Sequence, residues 1–319
     1  MHPNCSNKDL FVSHGERTVA SVFHNSWWLD AATEENWQLL ETDQRSGFVA
    51  RLPIYKKRKY WQSVITMPPL TRTLGPTIHQ IAKTRKMPDP SERVRVVLIQ
   101  DIVKKIPQDT IFFQVFDPVC TDLYPFHVGG FSVRVAYTFR IIDCSDTEKT
   151  WTGMRDKTRN VIRRAMEASR VHFDPDPQRF LTFFLHVLEK AGERSRWPAE
   201  RIRSVVTAAV TNGAGTALYA SNDNGKPVAA IFLLWDEGYC YYFLSSRDAA
   251  LSENGSVSLL LWEALQFAGK RGLGFDFDGF NTTGAAQFLS QFGARAIPRW
   301  VVTKIPRYLR AIEALFTRS

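Results

Sequence analysis

The chain has 319 residues, of which 44% are hydrophobic and 13% aromatic, so it can bury a sizeable core and is not a mainly disordered chain. Its length suits two domains or one large one. Lys and Arg number 41 against 32 Asp and Glu, and the net charge of +9 favours anionic partners such as nucleic acid, an anionic membrane face or phosphorylated metabolites, without choosing among them.

Cysteine, histidine and hydropathy patterns narrow the class of protein. Four dispersed cysteines are too few for a disulfide framework or a CxxC site, which predicts free thiols in a reducing compartment. The seven histidines lack HxxxH and HxH spacing, so no metal site is predicted. The polar start and a longest apolar run of only residues 228–235, against about 18 for a membrane helix, predict a cytoplasmic protein without a membrane span.

The first half of the chain predicts three strands, a helix and a fourth strand. The strands are residues 37–42, 48–55 and 60–67, with a basic turn, KKRK, at 56–59. Apolar side chains at helical spacing follow at 91–106, and an apolar strand at 110–116. Trp27 and Trp28 precede these elements; packing is one role for them, and contact with a substrate, for which Trp28 is the candidate, is the other.

The second half predicts the same order of elements. Strands at 217–221, 228–235 and 239–245 precede a helix at 256–271 and a strand at 275–277, and a mostly helical segment, 148–209, separates the two copies. The repetition predicts a duplicated α/β unit whose mixed sheet has three antiparallel strands and then a parallel one; chance recurrence is the alternative. We place the domain boundary between residues 146 and 147, giving domains 1–146 and 147–319.

The most basic segment is residues 149–170, with seven Lys and Arg against two acidic residues. Its apolar residues fall at helical spacing, and Arg155, Arg159 and Arg163 are each four apart, so they share one face of a helix. A solvated face, a phosphate-binding face and an RNA-binding face are all open interpretations.

The loop before the 256–271 helix is rich in small and polar residues. Ser252 or Asn254 could cap the helix, whereas Gly255 would also let an anionic ligand approach the N–H groups of Ser256 and Val257. Taken alone, this is a weak phosphate-binding signal.

Asp276 and Asp278 lie two apart in the strand GFDFDG, residues 274–279, so alternation would place both carboxylates on one face of a sheet. Two carboxylates on an internal strand need a wet cleft, hydrogen bonds or a cation. They are therefore either site residues or partners of an arginine such as Arg247 or Arg299.

Four segments of the chain together resemble sequence motifs of Fem-like proteins of the GNAT acyltransferase superfamily. They are the arginine-rich helix at 159–165 (RNVIRRA), the turn and strand at 224–230 (NGKPVAA), the strand at 275–279 (FDFDG) and the segment at 287–294 (QFLSQFGA). Residues 66–76, before the first predicted helix, also resemble family sequence, so the likeness extends over nearly the whole chain.

The resemblance implies two tandem GNAT-like domains, each an α/β domain with a mixed, mostly antiparallel sheet flanked by helices. It also implies acyl transfer to an amine, from acyl-CoA or from an aminoacyl-tRNA. The GNAT pyrophosphate loop, R/Q-x-x-G-x-G/A, is absent from residues 245–256, and so is the heptad-patterned hairpin of the tRNA-dependent enzymes. The missing hairpin favours a thioester donor.

The resemblance also implies roles for individual residues. Acyl transfer also needs a base and an acid, and Asp276 and Asp278 are the candidate bases, acting directly or through water. Either Tyr242 or Tyr241 could protonate the leaving thiolate or simply pack, and Tyr242 is the one assigned to catalysis. Arg159, Arg163 and Trp28 would bind the acceptor. The acyl-donor site is assigned to the C-terminal domain, where it would comprise Tyr241, Leu244, Ser245, Arg247, Asn254, Gly255, Ser256 and Val257.

The predicted function is transfer of an acyl group from coenzyme A to the amine of a nucleotide-linked amino sugar in cell-surface polysaccharide biosynthesis. The partners are then two small molecules, and no metal is expected. One alternative is an aminoacyl-tRNA-dependent peptidyltransferase of cell-wall precursor synthesis, which would also bind a nucleic acid. The other is a non-enzymatic RNA-binding protein.

Overall fold

The structure is a computed structural model that describes residues 21–59, 61–81, 89–251, 255–279, 283–306 and 308. The chain divides into two compact units. The first comprises the described parts of Met1–Ala136 and Pro298–Ser319, and the second is Tyr137–Ile297. The predicted domain boundary at 146/147 stays a prediction. The division into compact units falls ten residues earlier, and it assigns Pro298–Ser319 to the first unit.

The elements of Met1–Ala136 follow the predicted order. In chain order they are α1 (Ser26–Thr33), β1 (Gln38–Glu41), β2 (Phe48–Lys59), β3 (Gln62–Thr66), β4 (Thr77–Gln80), α2 (Glu92–Lys105), β5 (Ile111–Phe116), α3 (Tyr124–Val128) and the start of β6 (Ser132–Ile141).

The elements from there to the end of the second unit are richer in helix. They are α4 (Thr147–Thr152), α5 (Asp156–Ala168), β7 (Arg170–Asp174), α6 (Pro177–Lys190), α7 (Ala199–Thr211), β8 (Gly215–Ser221), β9 (Pro227–Trp235), β10 (Tyr239–Arg247), α8 (Ser256–Lys270), β11 (Gly274–Gly279) and α9 (Thr283–Ser290). The last described strand is β12 (Arg295–Lys304).

Strand pairing confirms the predicted mixed sheets in both units. In the first unit β1, β2 and β3 pair antiparallel in that order, and β3 pairs parallel with β5. In the second, β8, β9 and β10 pair antiparallel and β10 pairs parallel with β11. Each parallel pair is joined through a helix, as a parallel connection requires.

Each sheet is extended by strands that were not among the predicted elements. β12 pairs antiparallel with β5, from Trp300 opposite Phe116 to Lys304 opposite Phe112. In the second unit β6 pairs with β11 and β7 with β8. The predicted basic turn at residues 56–59 is wrong, because these residues continue β2 and pair with β3.

Helices cover both faces of the sheet of the second unit. Leu218, Ile231 and Leu233 share one core with residues of α5 and α8, including the fully buried Ile162 and Leu260. Neighbouring side chains on a strand point to opposite faces, and the Phe232 ring accordingly contacts that of Phe180 of α6, with ring centres 5.2 Å apart. α8 is therefore held between the sheet and α5.

Within the described residues, no helix is long and apolar enough to cross a membrane. In the same residues no cluster of His, Cys, Asp and Glu could hold a metal ion. Cys120, Cys144 and Cys240 are buried free thiols.

Buried histidines of the first unit should make it sensitive to acid. Burial, with smaller contributions from repulsion by Arg51 and His24, lowers the pKa of His79 to about 3. Between that value and about 6.5 the unfolded chain binds a proton that the folded one does not, so stability is complete above pH 6.5 and falls as the pH drops. We expect protonation of His79 to lower the free energy of unfolding by about 2 kcal/mol between pH 7 and pH 5.

Urea unfolding at both pH values measures this loss. In His79→Asn the loss should shrink by about that amount, whereas substitution of the exposed His127 should leave it unchanged. His24, whose pKa burial also lowers, supplies a remaining part in both variants. An identical loss in His79→Asn and the unmodified chain would contradict the assignment.

Candidate functional site

β10 leaves its parallel neighbour halfway along its length. β10 pairs with β11 at Tyr239, Cys240 and Tyr241, opposite Gly274, Phe275 and Asp276. Its pairing with β9 continues much further, to Arg247. Between the described residues of β10 and β11, no pairing follows Tyr241. The two strands therefore diverge after Tyr241, and no described residue of β11 pairs with Tyr242 or with residues 244–247. An extended ligand can bond along this edge of β10.

A β-bulge lies where this opening begins. Tyr242 is opposite Leu233, but Leu244 is opposite Phe232, so Phe243 is an extra residue in β10. A bulge locally disrupts the hydrogen-bond ladder and reverses the facing of the residues that follow. Ser245 therefore lies on the same face of the sheet as Tyr242, three residues before it.

Tyr242 keeps its phenolic proton at neutral pH. Burial raises the pKa of Tyr242, and a side-chain hydrogen bond with Ser245 opposes part of that rise. A protonated hydroxyl beside an open strand edge can donate to a leaving group, which is the role predicted for it. Of the other predicted donor-site residues, Leu244 is half-buried, and Ser245 and Arg247 are exposed.

Unlike Tyr242, Tyr241 has a structural role. It is buried, and its hydroxyl donates to Asp236 Oδ2 at 2.6 Å. The Asp236 carboxylate also accepts the N–H groups of Gly238 and Tyr239, which fixes the turn between β9 and β10. Tyr241 thus stabilises the end of β10 at which β10 and β11 are still paired.

Asp276 is part of a buried ion pair. Its carboxylate accepts Nε of Arg140 at 2.6 Å and Oγ1 of Thr138 at 2.5 Å, and both partners lie on β6. Asp276 and Arg140 are 4% and 3% exposed, so the pair is shielded from water. Burial raises the pKa of Asp276, and the Arg140 charge opposes the rise. The expectation of an arginine partner is correct in kind, but the partner is Arg140 and not Arg247 or Arg299.

Asp278 departs from the predicted alternation. Its φ is +68°, a left-handed conformation that Asp and Asn tolerate better than most residues. Its backbone N–H donates to Asp276 Oδ1 at 2.7 Å, and the pairing with β6 shifts register between Asp276 and Gly279. The two carboxylates therefore do not stand side by side on a regular strand. Asp278 is half-buried and is the more accessible of the two.

The start of α8 is packed against α5. Gly255 has φ +115°, and a Cβ built on it would lie 2.7 Å from Val161 Cγ1 and 3.3 Å from Ala165 Cβ. Ser256 is 1% exposed and Val257 half-buried. Asn254 and Ser252 lie outside the described residues. Glycine is needed at 255 for close helix packing, and this accounts for it without an anion.

The two predicted arginine ligands have different surroundings. Nη1 of Arg159 donates to the main-chain oxygens of Thr152 and Met154, both at 2.9 Å, and Nη2 pairs with Asp156. Arg159 therefore closes the end of α4, and most of its guanidinium donors are engaged within the protein. Arg163 is exposed, with one hydrogen bond to Asn160 Oδ1 at 2.7 Å.

Trp28 lies in the first unit and is fully buried. Its Nε1 donates to Thr71 Oγ1 at 3.0 Å, and its ring contacts Phe23 edge-on at 5.1 Å. Of its two predicted roles, the structure favours packing, because no face of the ring is open to a substrate.

The partner of Asp276 is the residue that sequence reasoning missed. Residues 133–141 alternate apolar and polar side chains, VRVAYTFRI, which predicts a strand with Thr138 and Arg140 on the same face. That pattern predicts that Arg140 lies on a strand, but it does not predict that this strand pairs with β11.

Comparison with known proteins adds three results. Residues 152–288 match the family model described as an acetyltransferase (GNAT) domain. FemX has a similar structure, at 13% identity and a TM-score of 0.69, over 94% of this chain and 96% of that one. Among curated proteins, no sequence matches.

Two further solved structures share the fold. The C-terminal domain of a lysylphosphatidylglycerol synthetase from Agrobacterium fabrum is 12% identical with a TM-score of 0.59, over 88% of this chain and 87% of that one. L-PGS from Bacillus licheniformis is 14% identical with a TM-score of 0.55, over 92% and 91%. At these identities the likeness shows the fold, which confirms the fold predicted from the motifs.

Proposed function

We propose that this GNAT-type acyltransferase, whose fold is Fem-like, transfers an acyl group to an amine in the opening between β10 and β11. The observation that carries the proposal is the separation of the two strands after Tyr241, beside the bulge at Phe243. An acyl donor with an extended arm bonds along the edge of β10 beyond Tyr241, and a main-chain N–H there polarises the reacting carbonyl.

Each remaining requirement of acyl transfer has a residue next to the opening. The amine attacks the carbonyl carbon as a neutral group, and Asp278 takes its proton directly or through water. The tetrahedral intermediate places its negative charge on the former carbonyl oxygen, which the main-chain donor stabilises. As the C–S bond breaks, Tyr242 protonates the leaving thiolate. Asp276 is a positioning residue, because its carboxylate fixes the Asp278 N–H.

The donor that we propose first is acyl-CoA, and the acceptor is the amine of a nucleotide-linked amino sugar of cell-surface polysaccharide synthesis. The extended arm of coenzyme A fits the edge of β10 beyond Tyr241. The predicted pyrophosphate site at the start of α8 fits less well, because α5 packs against Gly255 and Ser256 is buried.

An aminoacyl-tRNA is the second candidate donor. The crowding of the α8 start removes one argument for a coenzyme, and one protein that shares the fold is named as a lysylphosphatidylglycerol synthetase, whose product carries an aminoacyl group. The seven basic residues at 149–170 suit a polyanionic donor.

A two-armed assay separates the donors. Thiol release from acetyl-CoA is followed over a set of nucleotide-linked amino sugars, and transfer from radiolabelled aminoacyl-tRNA is followed over the same amines. Thiol release that depends on the amine supports the first donor, and label transfer supports the second. Salt-sensitive tRNA binding without transfer by either donor would instead favour the RNA-binding alternative.

Replacing Asp278 with asparagine tests the base. Asparagine also tolerates a positive φ, so the backbone should keep its course. We expect kcat to fall about 100-fold or more at pH 7, with partial recovery at high pH as the free amine loses its proton without help. The KM of the donor should stay near that of the unmodified enzyme.

The matched control is Asp223→Asn, in the exposed turn between β8 and β9, which should leave kcat unchanged. Full turnover by Asp278→Asn at pH 7 would remove Asp278 from the mechanism.

A further inference from the structure

The hairpin of β2 and β3 in the first unit has a distal half that the proposed mechanism does not use. β1 pairs with β2 as far as Ile54, and β4 pairs with β2 at residues 48–51. From Tyr55 onward, β3 is the one neighbour of β2 among the described strands, and the pairing ends at Lys59 opposite Gln62. Residues 55–59 of β2 and residues 62–66 of β3 are called the hairpin arm below.

Four consecutive cations lie on the β2 side of this arm. Lys56, Lys57, Arg58 and Lys59 are all exposed. Side chains alternate along a strand, so both faces of the arm carry positive charge. Within the part of the chain that the structure describes, no carboxylate forms an ion pair with any of the four. The arm therefore presents its positive charge to solvent on both sides.

The sequence around the arm adds further positive charge and no negative charge. Residues 44–88 contain ten Lys and Arg and no Asp or Glu, so this segment alone exceeds the net charge of +9 of the whole chain. Elsewhere in the segment, carboxylates from outside it pair with Arg45 and Arg51, namely Asp101 and Glu41. The cations of the arm differ from these arginines, because their charge is left for a partner outside the unit.

Two exposed aromatic rings lie at the end of the arm. Trp61 is 65% exposed and Tyr308 is 44% exposed, and their ring centres are 6.3 Å apart. The Tyr308 hydroxyl donates to Gln62 Oε1 at 2.6 Å, and Nε2 of Gln62 donates to the main-chain oxygen of Asp109 at 2.7 Å. These bonds hold Tyr308 beside Trp61 while the apolar surface of both rings faces water. Trp and Tyr are enriched where a membrane protein meets the lipid headgroups.

We propose that the end of the hairpin arm binds the surface of an anionic lipid bilayer, with Trp61 at the level of the headgroups and the four cations facing their negative charge. At about 3.3 Å per residue, Lys56 lies roughly 10 Å from Lys59, which is close to one Debye length at physiological salt. The potential of a surface that the end of the arm touches therefore reaches all four cations. The binding does not depend on the proposed acyl transfer.

A single-stranded RNA is the other polyanion that suits cations beside an aromatic ring. An RNA backbone that follows one face of the arm would meet the cations of that face and leave those of the opposite face unused. A lipid surface that meets the end of the arm attracts the cations of both faces. The arrangement favours the lipid surface, and RNA binding is one outcome of the test.

Cosedimentation of the full chain with vesicles tests the proposal. The probes are phosphatidylcholine vesicles with and without phosphatidylglycerol, and a polyuridine RNA. We expect the protein to sediment with the vesicles that contain phosphatidylglycerol and not with those of phosphatidylcholine alone. Raising the salt concentration should release it, because the exposed cations are screened.

Variants assign the binding to the arm. Lys57→Ala with Arg58→Ala should weaken binding to the anionic vesicles about tenfold or more, because each cation near such a surface contributes about fivefold. The matched control, Arg93→Ala with Arg134→Ala, removes the same charge from two exposed positions of the first unit outside the arm. It should stay within about twofold of the unmodified chain. Trp61→Ala should weaken binding about tenfold through lost apolar contact, and its exposure leaves the fold intact.

The proposal is overturned if the anionic vesicles do not bind the protein, or if the arm variant and the control variant bind them equally well. Binding of polyuridine without binding of vesicles, weakened by the same arm variant, would assign the arm to RNA and reject the lipid surface. The acyl-transfer assay reports on the second unit separately. Vesicle binding without transfer from either donor would reject the proposed reaction and keep the lipid site.

Discussion

Replacing Arg140 with leucine should lower the free energy of unfolding of the second unit by about 3–5 kcal/mol. The substitution leaves the Asp276 carboxylate buried without the cation that lies 2.6 Å from it. It also removes the stacking of the guanidinium on the Tyr239 ring, 4.2 Å from the ring centre. Denaturant unfolding followed by circular dichroism measures the loss.

Two further variants show whether the loss comes from the unpaired carboxylate. The double variant Arg140→Leu with Asp276→Leu should recover much of the stability, because no buried charge remains. Arg134→Leu, at an exposed position on the same strand, should stay within about 0.5 kcal/mol of the unmodified protein. The deficit of Arg140→Leu should also shrink as the pH falls, because burial raises the pKa of Asp276 and the protonated carboxyl group needs no cation beside it. A deficit below about 1 kcal/mol would mean that the pair is not a structural element of β6 and β11.

Replacing Gly255 with valine should destabilise the second unit by several kcal/mol, of which backbone strain at φ +115° supplies about 1–3 kcal/mol. The remainder comes from the side chain, whose Cβ alone would lie 2.7 Å from Val161 Cγ1 and 3.1 Å from the Val161 carbonyl oxygen. α5 would have to move away from α8. Thermal unfolding measures the total.

Gly225→Val is the control that separates strain from contact. Gly225 also has a positive φ, +73°, but a Cβ there meets nothing within 4 Å. It should therefore show the strain alone. Equal destabilisation by both substitutions would contradict close packing of α5 on Gly255. Weaker coenzyme binding by Gly255→Val is not by itself proof of an anion site, because the substitution moves α5.

The order of elements and their pairing direction could be predicted because both are local properties. Strand alternation and helical spacing in residues 217–277 depend on near neighbours, and a helix between two strands requires a parallel pair. The boundaries of β9 and α8 consequently differ from the predicted ones by only one residue. The pairing of β6 with β11 and of β12 with β5 could not be predicted, because each of these partners is distant in sequence.

The candidate site was harder to predict than the fold because its residues have more than one explanation. Gly255 allows close approach of either an anion or a helix, and only the position of α5 decides between them. Arg159 and Arg163 share a helix face, yet one closes the end of α4 and the other is exposed, with a hydrogen bond to Asn160. A sequence states which groups are present, and tertiary contacts decide which of them are already used.

The strand that closes the sheet of the first unit is synthesised last. β5 emerges from the ribosome before all of Tyr137–Ile297, and its antiparallel partner β12 emerges only afterwards. In that interval the nascent chain holds an open edge at Ile111–Phe116 whose apolar side chains could pair with other chains. We therefore expect yield in the cell to depend on how well that edge is shielded during translation, as well as on the stability of the finished protein.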